Sequence, residues 1–168
     1  MSAVQHSKPK LSAAHRATYF VYRTPLGRVT LGCDGQALTR VAFGVAEFEG
    51  EYRSCALTNK ASSEILEYLA RKRAVFTIPL HPQGSSFQKK VWDYVCSIPY
   101  GHTKTYAQVA ADLGTPKGLH SISAACIHNP LPFFIPTHRV IGVHGDMGGF
   151  VTNPAVKKFL IDLERTRS

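Results

Sequence analysis

Apolar and polar residues alternate along "ATYFVYRTPLGRVTLGCDGQALTRVAF", and the alternation breaks at Thr24-Pro25-Leu26-Gly27 and again at Cys33-Asp34-Gly35. A period of two bounded by turn residues predicts three short strands, residues 17–22, 28–32 and 37–43, in an antiparallel meander. The period then lengthens. "SSEILEYLARKR" places Ile65, Leu66 and Leu69 on one side of a helix, with Ser62 or Ser63 as its cap and a basic last turn that suits the helix dipole. "PLHPQGSS" is rich in Pro, Gly and Ser and reads as a linker.

Beyond that linker the spacing is helical. "FQKKVWDYVCSI" sets Phe87, Val91, Tyr94, Val95 and Ile98 on one face behind a Ser86 cap, and Pro99-Tyr100-Gly101 ends it. "TYAQVAADLG" repeats the pattern with Tyr106, Val109, Ala110 and Leu113. After a turn at Gly114-Thr115-Pro116, "KGLHSISAACIHN" turns Leu119, Ile122 and Cys126 inward. Two short helices joined by a Gly-containing turn make a helix-turn-helix. In "NPAVKKFLIDLER", Asn153 reads as N-cap and Pro154 as first helical residue, with Val156, Phe159, Leu160 and Leu163 facing the core. The expected organisation is a disordered tail over 1–16, an α/β domain with a small antiparallel sheet and a helix over 17–80, a linker over 81–86, and a mainly α domain carrying the helix-turn-helix over 87–168.

Charge narrows the partners. Twenty Lys and Arg stand against 11 Asp and Glu, a formal charge of +9, which favours a polyanion such as nucleic acid. Cys33, Cys55, Cys96 and Cys126 show no CxxC or Cys/His ligand spacing and read as free thiols in a reducing compartment. The first residues lack an apolar signal core, and no apolar run approaches the roughly 18 residues that span a bilayer. A soluble intracellular monomer with no membrane partner is expected.

Two constellations carry chemistry. The second helix of the helix-turn-helix is small-faced, with Ser121, Ser123, Ala124 and Ala125, so it suits close approach to a groove by shape rather than base reading; plain helix packing is the alternative. "IPTHRVIG" followed by "HGDMGGF" offers Thr137 beside His138, and Glu164 in the last helix completes a Thr-His-Glu relay on paper. A loop histidine satisfied by a carboxylate explains the same residues.

The stretches "PLGRVTLGCDGQALTRVAF", "FQKKVWDYVCSIPYGHTKTYAQVAADLGTPK" and "HNPLPFFIPTHRVIGVHGDMGGF" together resemble the O6-alkylguanine-DNA alkyltransferases, also called methylated-DNA–protein-cysteine methyltransferases. The likeness runs from about Thr18 to Glu164. It implies a ribonuclease H-like first domain and a winged-helix-like second one, insertion of the helix-turn-helix into the minor groove of double-stranded DNA, flipping of an O6-alkylguanine, and transfer of its alkyl group to a cysteine without any cofactor. By resemblance, Tyr106 lines the pocket and helps rotate the nucleotide, Phe150 sandwiches the flipped base, Asn129 braces the site, His138 and Glu164 activate the acceptor through water, and Arg139 follows them at the substrate side. His120, Ser121, Ala124 and Tyr106 are the expected DNA contacts, and Cys126 faces the pocket wall. The zinc ligands of some members fail to line up, since Asp34 and Thr39 stand at two of their positions, so no metal is expected.

Two positions depart from the family pattern. Thr137 stands where the acceptor cysteine belongs, and His120 where an arginine fills the gap left by the flipped base. The first reading is therefore a lesion binder akin to alkyltransferase-like proteins, which hand the damage to a downstream repair protein. The alternative is an O6-methylguanine-DNA methyltransferase, either engineered at Thr137 or using another acceptor such as Cys126.

Overall fold

The computed structural model describes residues 16–145 and 154–165. β1 (Thr18–Thr24), β2 (Gly27–Cys33) and β3 (Leu38–Phe43) form the expected antiparallel meander. A short β4 (Glu51–Tyr52) pairs in parallel with β1, so the sheet has order β3-β2-β1-β4 and is mixed rather than purely antiparallel. Gly27, with φ of 96°, makes the first hairpin turn in a backbone region that favours glycine. Val29, Leu31 and Cys33 alternate onto one buried face of β2.

That face is covered by α1 (Ala56–Leu69), which is capped at Cys55, about two turns before the expected serine cap. Ser62 is buried in mid-helix, and the inner stripe is Thr58, Ala61, Ser62, Ile65, Tyr68 and Leu69, while Leu66 lies exposed. The basic residues expected in the last turn fall beyond the helix end, where Arg71 adopts a left-handed conformation with φ of 60°.

The connection to the helical half is pinned rather than loose. Leu38 N–H donates to the Pro79 carbonyl at 2.9 Å, and His81 N–H to the Leu38 carbonyl at 2.9 Å. Then α2 (Ser86–Cys96) begins, capped by Ser85 rather than Ser86: Gln88 N–H donates to Ser85 Oγ, and Gln88 Oε1 accepts from Ser85 N–H. That reciprocal pair satisfies two backbone donors at once. Thr105 and Gln108 repeat it at the start of α3 (Tyr106–Asp112). Gly114, at φ 71°, ends α3 and turns the chain toward α4 (Leu119–Ile127).

Ile122, Ala125 and Cys126 of α4 pack into the core, and Trp92 of α2 donates its indole N–H to the Ala125 carbonyl at 2.9 Å. Leu119 is exposed, contrary to its expected place in the core, because α4 turns residues 122, 125 and 126 inward instead. β5 (Lys104–Thr105) and β6 (Val140–Ile141) form a small parallel pair, which ties the start of α3 to the chain leaving residue 139. The last helix, α5 (Pro154–Arg165), buries Lys157, Leu160, Ile161, Leu163 and Glu164. Leu160 and Leu163 face the core as expected and Val156 packs against it, while Phe159 is exposed and Lys157, Ile161 and Glu164 widen the buried face. The expected Asn153 cap lies outside the described residues.

Candidate active site and nucleic-acid interface

Residues 131–140 are buried without a break, unusual for a segment with so little regular structure. Asn129 supplies the missing backbone partners. Its side-chain oxygen accepts from Leu131 N–H at 2.9 Å, and its amide donates to the Ile135 carbonyl at 2.8 Å and to Thr137 Oγ1 at 2.9 Å. Phe133 is held at φ 73°, a strained conformation for an aromatic residue, and its ring packs against Phe43 and Tyr68. Pro130 accepts from Val41 N–H of β3 at 2.8 Å, docking the loop on the sheet. The loop delivers Thr137 at the head of a 3-10 turn (Thr137–Arg139), wholly buried.

His138, next in the chain, is buried too. Its Nε2 lies 2.7 Å from Glu164 Oε1, which assigns the proton to Nε2 and leaves Nδ1 as a bare acceptor. Nδ1 is buried with no hydrogen-bond partner among the described residues. No hydrogen bond joins Thr137 directly to His138 among those residues, so the His138–Glu164 half of the relay is in contact and the Thr137–His138 half is not. Burial pulls the His138 pKa below its ordinary value, against the opposing pull of Glu164, so the imidazole is neutral at pH 7.

Glu164 is the hub of this network. Burial alone would raise its pKa, but hydrogen bonds and charge from His138 and Arg139 hold the carboxyl well below the usual carboxylate range. Arg139 donates to Glu164 through Nε and Nη2, at 3.0 and 2.8 Å, and through Nη1 to the Ile98 carbonyl at 2.8 Å. The guanidinium expected at the substrate side is thus directed at the carboxylate and the end of α2. Gly101 N–H reaches Glu164 Oε2 at 3.2 Å.

Tyr68 is a member of the network that the sequence reading missed. Its hydroxyl donates to Glu164 Oε1 at 2.7 Å from the far end of α1. The helical face read from the sequence was Ile65, Leu66 and Leu69, which leaves Tyr68 out, and no motif marks it. Lys157 was missed as well: it is fully buried, with Nζ 3.2 Å from Tyr106 Oη and 5.4 Å from the ring centroid. Burial pulls its pKa down to about 8. A signal for it existed, since Lys157 stands seven residues before Glu164 and so shares its helical face.

Tyr106 is half-buried at the first turn of α3. His120, Ser121 and Ala124 are exposed together on α4, flanked by Leu119 and Ile127, at 45% and 42% exposure. Cys126 faces inward from the same helix, where burial pushes its thiol up to about 12. Phe150 lies outside the described residues. Among the described residues, no group of three or more His, Cys, Asp or Glu side chains is placed to hold a metal, and no helix is long and apolar enough to cross a membrane.

Residues 17–82 match the family model of the 6-O-methylguanine DNA methyltransferase ribonuclease-like domain, and residues 86–166 that of the DNA binding domain of the same methyltransferase. A methylated-DNA–protein-cysteine methyltransferase of Methanosarcina acetivorans is 33% identical over 151 residues, covering 87% of this chain and 97% of its own. The constitutive enzyme of Bacillus subtilis is 32% identical, covering 88% and 94%. Among solved structures, Mycobacterium tuberculosis OGT in complex with DNA superposes with a TM-score of 0.83 at 29% identity, over 90% of this chain and 94% of that one. With both halves matched in order and relatives covered nearly end to end, the chain belongs to the methylated-DNA–protein-cysteine methyltransferase family.

Proposed function

We propose that this protein binds double-stranded DNA carrying O6-alkylguanine, extrudes the damaged base and retains it without accepting its alkyl group. The observation that carries this reading is Thr137: wholly buried, hydrogen-bonded by Asn129, and next to a His138–Glu164 pair that is assembled and correctly charged. On this reading, a histidine and carboxylate suited to activating an acceptor stand beside a side chain unable to serve as one. Alkyl transfer is displacement at a saturated carbon, which calls for a polarizable, readily ionised nucleophile such as a thiolate. A threonine hydroxyl ionises far less readily and is crowded by its β-methyl group. An aryl alkyl ether also offers no carbonyl at which a base-assisted hydroxyl could act.

Binding is supported by α4, whose exposed face presents His120, Ser121 and Ala124 with no carboxylate among them. Small side chains let the backbone approach a minor groove closely, and the formal charge of +9 favours the phosphates. Tyr106, whose hydroxyl accepts from Lys157 at 3.2 Å, is by resemblance the residue that would help turn the nucleotide out. His120 is shorter than the arginine expected there and lacks its fork of donors, so it holds the orphaned partner base less firmly. A lesion retained in this way is a mark for a downstream repair protein. The alternative acceptor, Cys126, has a thiol raised to about 12, which keeps it protonated and a poor nucleophile at neutral pH.

Fluorescence anisotropy with a duplex containing one O6-methylguanine, against the same duplex with guanine, tests the binding half. Tighter binding to the lesion is expected, by tenfold or more in order of magnitude; equal affinity would leave only generic DNA binding.

A further inference from the structure

We propose that Cys33 and Cys55 form a peroxide-responsive dithiol that closes into an intramolecular disulfide. Their sulfurs lie 3.5 Å apart, although 22 residues separate them in sequence. Cys33 is at the end of β2, 2% exposed on the face that α1 covers, and Cys55 is the residue on which α1 begins. The two side chains therefore meet across the sheet–helix interface. Thr18 Oγ1 touches Cys33 Sγ at 3.3 Å, and Thr58 Oγ1 lies 3.6 Å from Cys55 Sγ.

The two thiols differ in the way an attacking and a resolving cysteine should. Cys55 is half-buried and open to a small oxidant, whereas Cys33 is enclosed. Partial burial works against ionisation of Cys55, but hydrogen bonds from the Thr58 backbone and hydroxyl, with Thr18 and Cys33, bring its pKa down to about 7. Its position at the start of a 14-residue helix adds the favourable end of the helix dipole. Cys33 is raised by burial and stays protonated.

The chemistry balances with hydrogen peroxide as oxidant. The Cys55 thiolate attacks one peroxide oxygen; the O–O bond breaks, Cys55 becomes a sulfenic acid, and the other oxygen leaves as hydroxide and is protonated to water. The Cys33 sulfur then attacks the Cys55 sulfur, displacing hydroxide, which takes up the Cys33 proton. Two thiols and one peroxide give one disulfide and two waters, with two electrons passing from sulfur to oxygen. Closure brings the sulfurs from 3.5 Å to about 2.0 Å. The crosslink would staple β2 to the first turn of the helix whose last turn carries Tyr68 to Glu164.

The full-length chain, reduced and then exposed to stoichiometric hydrogen peroxide, is read by intact mass and peptide mapping. The expected result is loss of two hydrogens, a Cys33–Cys55 crosslinked peptide, and a melting temperature higher by about 5 °C that dithiothreitol reverses. Cys33→Ser should instead gain one oxygen at Cys55, trapped by dimedone. Cys55→Ser, at the half-exposed position, should leave Cys33 unmodified. Oxidation of exposed Cys96 while Cys33 and Cys55 still react with iodoacetamide, or a disulfide joining other cysteines or two chains, would overturn the proposal.

Discussion

On the proposed reading, the choice between oxygen and sulfur at residue 137 decides the chemistry, because a His138–Glu164 pair is assembled beside it in the chain. Asn129 orients the side chain, His138 presents a bare Nδ1, and Glu164 holds the imidazole through Nε2. Thr137→Cys should therefore accept one methyl group, and no more than one, from an O6-methylguanine duplex, as read by intact mass. Adding Glu164→Gln should slow that acceptance by about 100-fold or more, since the imidazole loses its orienting partner. Burial lowers the His138 pKa, so the rate of the cysteine variant should stay level as pH falls from 8 to the ordinary imidazole range and decline only below it. A well-folded Thr137→Cys chain that binds the lesion and stays unalkylated would contradict the site assignment.

Lys157 gives a second test at this scale. Its folded pKa is about 8 against an ordinary 10.5, so between those values the unfolded chain holds a proton that the folded chain has released. Stability should rise with pH across that window. Lys157→Met should remove the rise, so that its stability changes less between about pH 7 and about pH 9.5 than that of the parent chain. Urea denaturation of both chains at the two pH values checks this, and an equal rise in both would contradict it.

Among the elements, the helices show how far periodicity carries. It located α2, α3, α4 and α5 and turned Leu160 and Leu163 of α5 inward correctly, yet it placed Phe159 in the core and left out Lys157 and Ile161. Glu164, once read as a site residue, requires the face of 157, 160, 161 and 164, because residues four and seven apart stack on one side. A buried Lys and Glu defeat a reading that assigns charges to solvent. Leu160→Ala should cost about 2–5 kcal/mol, and Phe159→Ser less than about 1 kcal/mol, in chemical denaturation. Equal losses would restore the hydrophobicity-based face. The same limit explains α1: its first turn, Ala56 to Asn59, has no apolar stripe to announce it, so Ser62 looked like a start. β4 has only two residues, too short for alternation to register.

For the whole molecule, the sheet half and the helical half are joined by more than the connection near residue 81. Buried residues of both form one hydrophobic cluster, Val41 N–H reaches Pro130, and Tyr68 reaches Glu164. One cooperative transition is expected by calorimetry, with matching calorimetric and van't Hoff enthalpies; two separated transitions would show that the halves melt independently. Sequence alone offered Thr137, His138 and Glu164 as a relay on paper, with ordinary satisfaction of a loop histidine as the alternative, and Asn129 joined them only through the family pattern, because residues 26 apart meet through folding and not through spacing. Tyr68, 96 residues from its carboxylate, had no such pattern to identify it.

Native mass spectrometry of the chain mixed with equal amounts of an O6-methylguanine duplex and its undamaged twin separates lesion retention from alkyl transfer and from generic DNA binding. A complex that favours the damaged duplex, and releases protein of unchanged mass, is the expected result. Protein heavier by one methyl group, or equal occupancy of the two duplexes, would contradict it.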